Sequence, residues 1–219
     1  MLLKKIIELK KHYLFFIFLS FVIFLVFLTY KNYGITWDEI YYVQVGRHYA
    51  IQILNGLKIP HNLVNNNFTP TDLHLKTHGV IFDIVVIVLT PLFRSFNIET
   101  YHLIKALLSL FSFIFLYIIL LKLFSRKWAL FGLVLLLFFP RFYGDIFNNS
   151  IDIPTLTIFT SYIYFFLIFI NKKNSFIRLV LLSLSLSILI NQRIVFLYAF
   201  FITCLFLIKR PKLILFLSA

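Results

Sequence analysis

Val80-Ile81-Phe82-Asp83-Ile84-Val85-Val86-Ile87-Val88-Leu89-Thr90-Pro91-Leu92-Phe93 is apolar but short, and an acid and a proline interrupt it. A helix needs ~20 apolar residues, ~17 at the least, to cross a bilayer. The reading of this stretch decides which side of a membrane every later loop faces. If it crosses, the clusters Lys122/Arg126/Lys127, Lys172/Lys173/Arg178 and Lys209/Arg210/Lys212 all lie outside, against the positive-inside tendency. If it dips in and returns, all three face the cytosol. The cytosolic side then holds thirteen Lys/Arg and a single acid, Glu8, while the outer side holds eight Lys/Arg and the other seven acids. That segregation favours a re-entrant or surface-lying helix.

Composition agrees with a membrane setting. Hydrophobic residues make up 61% of the 219-residue chain and charged residues 13%, with mean hydropathy +0.95. Soluble domains are less apolar and about twice as charged. The net charge of +13 is not the footprint of a nucleic-acid partner, because the basic residues fall in short clusters between apolar runs. A lone cysteine, Cys204, excludes an intrachain disulfide framework and a Cys-based zinc site.

Met1–His12 carries Lys4, Lys5, Lys10 and Lys11 ahead of an apolar run, Tyr13–Tyr30, which is long and has no small-residue cleavage site. It reads as an uncleaved first span with a cytosolic N-terminus, in a plasma or inner membrane. Further spans are expected at His102–Phe124, Trp128–Pro140, Ile153–Ile170, Ile177–Ile190 and Ile194–Ile208. The fold class is therefore an all-α polytopic membrane protein. Leu213–Ala219 looks like the start of another span, so the chain is expected to be the N-terminal part of a longer protein.

Three pieces face outward on this topology: a long loop over 31–101, Arg141–Asp152, and the turn Asn191-Gln192-Arg193. In the long loop Thr36-Trp37-Asp38-Glu39 has the form of a capping box, predicting a helix through about Leu54. Gln44, Arg47, His48, Gln52 and Asn55 make one polar stripe on it, as in a helix lying in the interface.

Few residues can carry chemistry. Asp38 and Glu39 are adjacent carboxylates in a chain with 8 acids. Either can complement a helix N-terminus, but Glu39 alone completes the box, which leaves Asp38 as the candidate base. Asp152 opens a span ahead of Pro154 and can serve as its N-cap. Asp145 follows Gly144 and reads as a turn residue. Arg193, between two apolar runs, either snorkels to the interface or contacts a phosphate. His74 and His78, with Asp72 nearby, leave room for a divalent metal, though no third strong ligand follows at a telling spacing and no cofactor is called for.

Together these pieces resemble the C-type (GT-C) membrane glycosyltransferases that use polyprenyl-phosphate sugars, among them the protein O-mannosyltransferases and the lipid A aminoarabinose transferases. The resemblance rests on Thr36-Trp37-Asp38-Glu39-Ile40-Tyr41-Tyr42, on His78-Gly79-Val80-Ile81-Phe82-Asp83, on Pro140–Asp145 with Asn148–Pro154, and more weakly on Asn191-Gln192-Arg193. It departs from the family pattern at Ser150-Ile151, where Pro-Lys is expected. The resemblance implies a GT-C-like helix bundle with a long first extracytoplasmic loop. It implies Asp38, with Glu39 beside it, as the base or acceptor-orienting group, and Asp152 as a second acid lining the site. Arg193 would contact the lipid phosphate, with Lys76, His78 and Arg141 as further substrate-binding residues. The partners would be a polyprenyl-phosphate-linked sugar donor and a glycan, lipid or protein acceptor, with inversion at the sugar. The alternative is an inactive relative, a scaffold or a transporter-like protein whose acids are only caps. A transporter would place ionisable residues mid-span.

Overall fold

The computed structural model describes residues 12–60, 63, 79–90, 97–171 and 176–208, and every regular element among them is helical. The elements are α1 (Tyr13–Thr29), α2 (Trp37–Gly56), α3 (Ile81–Leu89), α4 (Ile98–Ser109), α5 (Phe111–Leu123), α6 (Arg126–Leu137), α7 (Pro140–Asn148), α8 (Asp152–Asn171), α9 (Phe176–Gln192) and α10 (Leu197–Ile208). Short 3₁₀ turns follow α1 and precede α10.

Among the described residues three helical stretches are long and apolar enough to cross a membrane: Tyr13–Asn32, Ile98–Leu123 and Asp152–Ile170. The second joins α4 and α5 through Leu110, which keeps helical dihedrals. Its 26 residues rise about 39 Å at 1.5 Å each, more than a hydrocarbon core of about 30 Å requires.

The expected span Trp128–Pro140 takes a different form. α6 stops at Leu137, and the chain turns by 65° before α7. Pro140 is the cause. It occupies the first turn of α7, and Phe139 before it is extended at φ −74°, ψ 105°, because a proline ring disfavours helical dihedrals in the residue it follows. Only the bent pair taken together has the length and apolarity of a span. α9 and the described part of α10 are apolar but shorter.

α3 has nine residues, about 13 Å of helix, so as a helix it cannot cross unaided. It packs between α2, α4 and α9. Gly46 lets it lie close to α2: a Cβ there would sit 3.0 Å from the Asp83 Cβ. Gly79, just ahead of α3, donates its N–H to the Gln192 carbonyl at 3.2 Å. A Cβ on Gly79 would fall 2.1 Å from the Asn191 carbonyl oxygen, which no side chain can share. Gly79→Ala should therefore part α3 from the end of α9. We expect about 1–3 kcal/mol of destabilisation, read as a lower thermal midpoint of the purified protein in detergent.

The apolar interior has two main bodies. One gathers Phe15, Val22 and Val26 of α1 with Leu103, Phe113, Tyr117, Leu133, Phe142 and Ile146. Phe15 stacks on Tyr117 at 4.1 Å between ring centroids, and Thr29 meets the Tyr143 hydroxyl at 2.8 Å, so α1 is bound at both ends. The other joins α8, α9 and α10, where the Tyr162 hydroxyl bonds Thr203 at 2.8 Å. Smaller apolar clusters tie α2, α3 and α4 together.

Candidate active site

A pocket of about 260 Å³ is lined by Thr36, Asp38, Tyr42, Arg141, Asp145, Asn148, Asn149, Ser150, Ile151 and Asp152. It is built from the start of α2, from α7 and from the turn entering α8. Asp38 sits in the first turn of α2 with its side chain exposed, while neighbouring Glu39 is fully buried. Both halves of the capping box are present: Glu39 Oε2 accepts the Thr36 N–H at 3.4 Å, and the Thr36 side chain faces the Glu39 N–H. The Thr36 hydroxyl also donates to the Asn148 carbonyl at 3.5 Å, joining α2 to α7.

Asp152 is not the cap of α8. Asn149 does that work, its Oδ1 accepting the N–H groups of Ile151 at 2.9 Å and Asp152 at 2.6 Å. The Asp152 carboxylate is thereby left for other partners. Arg193 Nη2 lies 2.5 Å from one of its oxygens, and Arg141 Nη2 lies 4.0 Å from the other. Arg141 also pairs with Asp145 at 3.4 Å, one turn along α7. Asp145, expected in a turn, is thus a helical residue. The Arg193 Nε is buried without a partner among the described residues, so the guanidinium retains donor capacity.

Tyr42 completes the wall and is 4% exposed. Burial pushes its phenol up to about 12, helped by the charges of Asp38 and Asp83 and by Tyr41, against the pull of Arg193. At neutral pH it stays a hydrogen-bond donor facing a pocket of acids. Tyr42→Phe removes that donor at nearly constant volume, and since a bond to a charged partner is worth about 1.5–3 kcal/mol, binding of a charged ligand in the pocket should weaken about 10- to 100-fold, read as a Kd.

An apolar cavity of about 230 Å³ adjoins this pocket. It shares Arg141, Asp145 and Asp152 and continues over Leu136, Phe139, Phe142, Ile153 and Leu156. A ligand with a polar head and a hydrocarbon tail matches the pair.

Residues 77–217, well over half of the chain, match the family model of the dolichyl-phosphate-mannose-protein mannosyltransferases. The chain belongs to that family. No curated protein and no solved structure matches it. The match takes in Arg141, Asp152 and Arg193, and Asp38 and Glu39 lie ahead of it.

Among the residues predicted for this mannosyltransferase-family chain, the structure brings Asp38, Arg141 and Asp152 into one pocket and Arg193 onto Asp152. Glu39 lies behind the pocket wall. Lys76 and His78, like the His74/His78/Asp72 group, lie outside the described residues. Among the described residues no group of three His, Cys, Asp or Glu is placed to hold a metal.

Sequence reasoning passed over the polar cluster behind the wall. Glu39 Oε1 lies 2.9 Å from His102 Nε2 and 3.6 Å from Lys105 Nζ, and all three side chains are fully buried. A carboxylate only accepts, so His102 donates through Nε2. Lys105 also donates to Ser150 Oγ at 2.7 Å, and the buried Tyr101 hydroxyl bonds Asp83. Burial pushes the Asp83 carboxyl up, toward its neutral form, against the pull of Lys105 and the Tyr101 bond. A signal was available: His102, Lys105, Ser109 and Ser112 recur at three- and four-residue spacing, one polar stripe along an apolar helix, and all are buried.

Proposed function

We propose that the chain supplies the reaction centre of a glycosyltransferase that moves a sugar from a polyprenyl phosphate to an acceptor hydroxyl on the extracytoplasmic face. The observation that carries this reading is the meeting of Asp38, Arg141 and Asp152 around one pocket, with Arg193 on Asp152 and an apolar cavity alongside. Family membership supports a lipid-linked donor. The polarity of the loops in the sequence supports the outward-facing side, and the shortness of α3 supports a first loop that leaves and returns to one face.

The chemistry is one displacement. Asp38 takes the proton of the acceptor hydroxyl as its oxygen attacks the anomeric carbon. The bond from that carbon to the phosphate oxygen breaks, and its electron pair leaves on the polyprenyl phosphate. Attack and departure occur on opposite faces of the ring, so the configuration inverts. Arg193 and Arg141 meet the growing negative charge, a preorganised cation pair of the kind that dominates such stabilisation. The isoprenoid tail lies over Leu136, Phe139, Phe142, Ile153 and Leu156, and Tyr42 donates to the sugar or acceptor.

The test uses the purified protein in nanodiscs with a short-chain polyprenyl-phosphate mannose and, separately, a nucleotide sugar. Release of polyprenyl phosphate from the first and no consumption of the second is expected. Absence of both turnover and saturable binding of the lipid-linked donor would favour the scaffold alternative.

A further inference from the structure

Three of the four charges attributed to the reaction have a polar neighbour in the chain that points inward. Beside Asp38 is Glu39, two residues ahead of Asp152 is Ser150, and beside Arg193 is Gln192, and all three are buried. Two of them meet at the Lys105 side chain, and the third joins through Ser150. Lys105 Nζ donates to Ser150 Oγ at 2.7 Å and pairs with Glu39 Oε1 at 3.6 Å. Ser150 in turn accepts the Gln192 amide N–H on its carbonyl at 3.2 Å. Lys105 also lies over the Tyr101 ring, 4.9 Å from its centroid. The start of α2, the turn into α8 and the end of α9 are distant in sequence, yet this buried ammonium reaches two of them directly and the third through Ser150.

We propose that Lys105 is a positioning residue for the transfer reaction. Through Glu39 and Ser150 it fixes the separation of Asp38, Asp152 and Arg193, so that base and leaving-group cations flank the sugar together. The proposal rests on the roles given to those three residues above. Its physical basis is that a displacement of about 1 Å between reacting groups can cost 10²-fold in rate, while a buried ion pair often adds little net stability over an apolar pair of equal volume. A cation in that position contributes to register more than to folding. His102 completes the arrangement by occupying the Glu39 oxygen that Lys105 also approaches.

The two contributions separate by experiment. Lys105→Met leaves the Glu39 charge to His102 and the Thr36 N–H and removes the cation facing Asp83, so both the thermal midpoint and kcat should drop. Glu39→Gln combined with Lys105→Met removes both charges. In that pair the midpoint should return to within a few degrees of the parent, while kcat stays at least tenfold down and KM for the lipid-linked donor changes little. Ser150→Ala, a milder change, should lower kcat severalfold with the midpoint nearly intact, and should have less than a twofold further effect once Lys105 is Met. Amide exchange in the peptides holding residues 37–42 and 149–153 should rise together in all three variants. Activity returning in step with the midpoint in the neutral pair would reduce Lys105 to a structural residue and overturn the proposal. Should the pair fail to fold, Ser150→Ala decides, and unchanged kcat there overturns it equally. Asp38→Asn, run alongside, separates the two levels: turnover retained in that variant removes the reading of the site itself, whereas turnover lost there but kept in the hub variants removes only the role of Lys105.

Discussion

Asp38→Asn is expected to cut sugar transfer by about 10²–10⁴-fold, the usual contribution of a general base. The substitution keeps size and shape, and Asp38 is exposed at the first turn of α2. No buried charge is stranded, and the fold should be unaffected. The lost helix-terminus interaction is worth about 0.3–1 kcal/mol at such a site, too little to explain a loss of that size. The loss should appear in kcat with KM for the donor nearly constant, since proton removal belongs to the transition state and not to donor binding. Asp38→Glu would displace the carboxylate along the pocket and should recover only part of the rate. Near-normal turnover by Asp38→Asn, measured as release of polyprenyl phosphate, would defeat the assignment.

Replacing Arg193 by Gln should cost about 10²–10³-fold in kcat, comparable to removing one preorganised donor from a site of developing negative charge. The guanidinium is partly exposed, paired with Asp152 and left with an unpartnered Nε, so it can turn from the carboxylate to a phosphate without unfolding its surroundings. Arg193→Lys keeps the charge and loses the forked geometry, and an intermediate rate is expected. If Arg193 merely snorkels, Lys will serve as well as Arg, and Gln will lower stability more than turnover. Rates and thermal midpoints measured on the same preparations separate the two accounts.

The helical class, the first span and the α2 capping box were legible because each rests on a local signal: a long apolar run, or a Ser/Thr-x-x-Glu spacing. The shortness of α3 was legible from Asp83 and Pro91. The break after α6 was less so. Pro140 was read as the end of a span, and the 65° turn it produces depends on where the following helix packs. Asp152 reads as able to cap α8, but Asn149 is an equally good cap by type, and only the fold shows which side chain reaches the open amides. Glu39 shows the limit most clearly. Its box contact was readable from four consecutive residues, but its pairing with His102 and Lys105 joins segments more than sixty residues apart, and no local pattern encodes that.

The pairing of Arg193 with Asp152 has a consequence for what the pocket admits. At rest Arg141 is paired with Asp145 and Arg193 with Asp152, while Asp38 adds a third carboxylate to the pocket, so both guanidiniums are already engaged. A small inorganic anion arriving from water gains little, because it must first pry a guanidinium from a carboxylate already in contact. A molecule that also buries hydrocarbon, at about 0.8 kcal/mol per methylene, brings the surplus needed to make that exchange. Discrimination in favour of lipid-borne sugars over their water-soluble counterparts would then arise from charge already satisfied before the donor arrives.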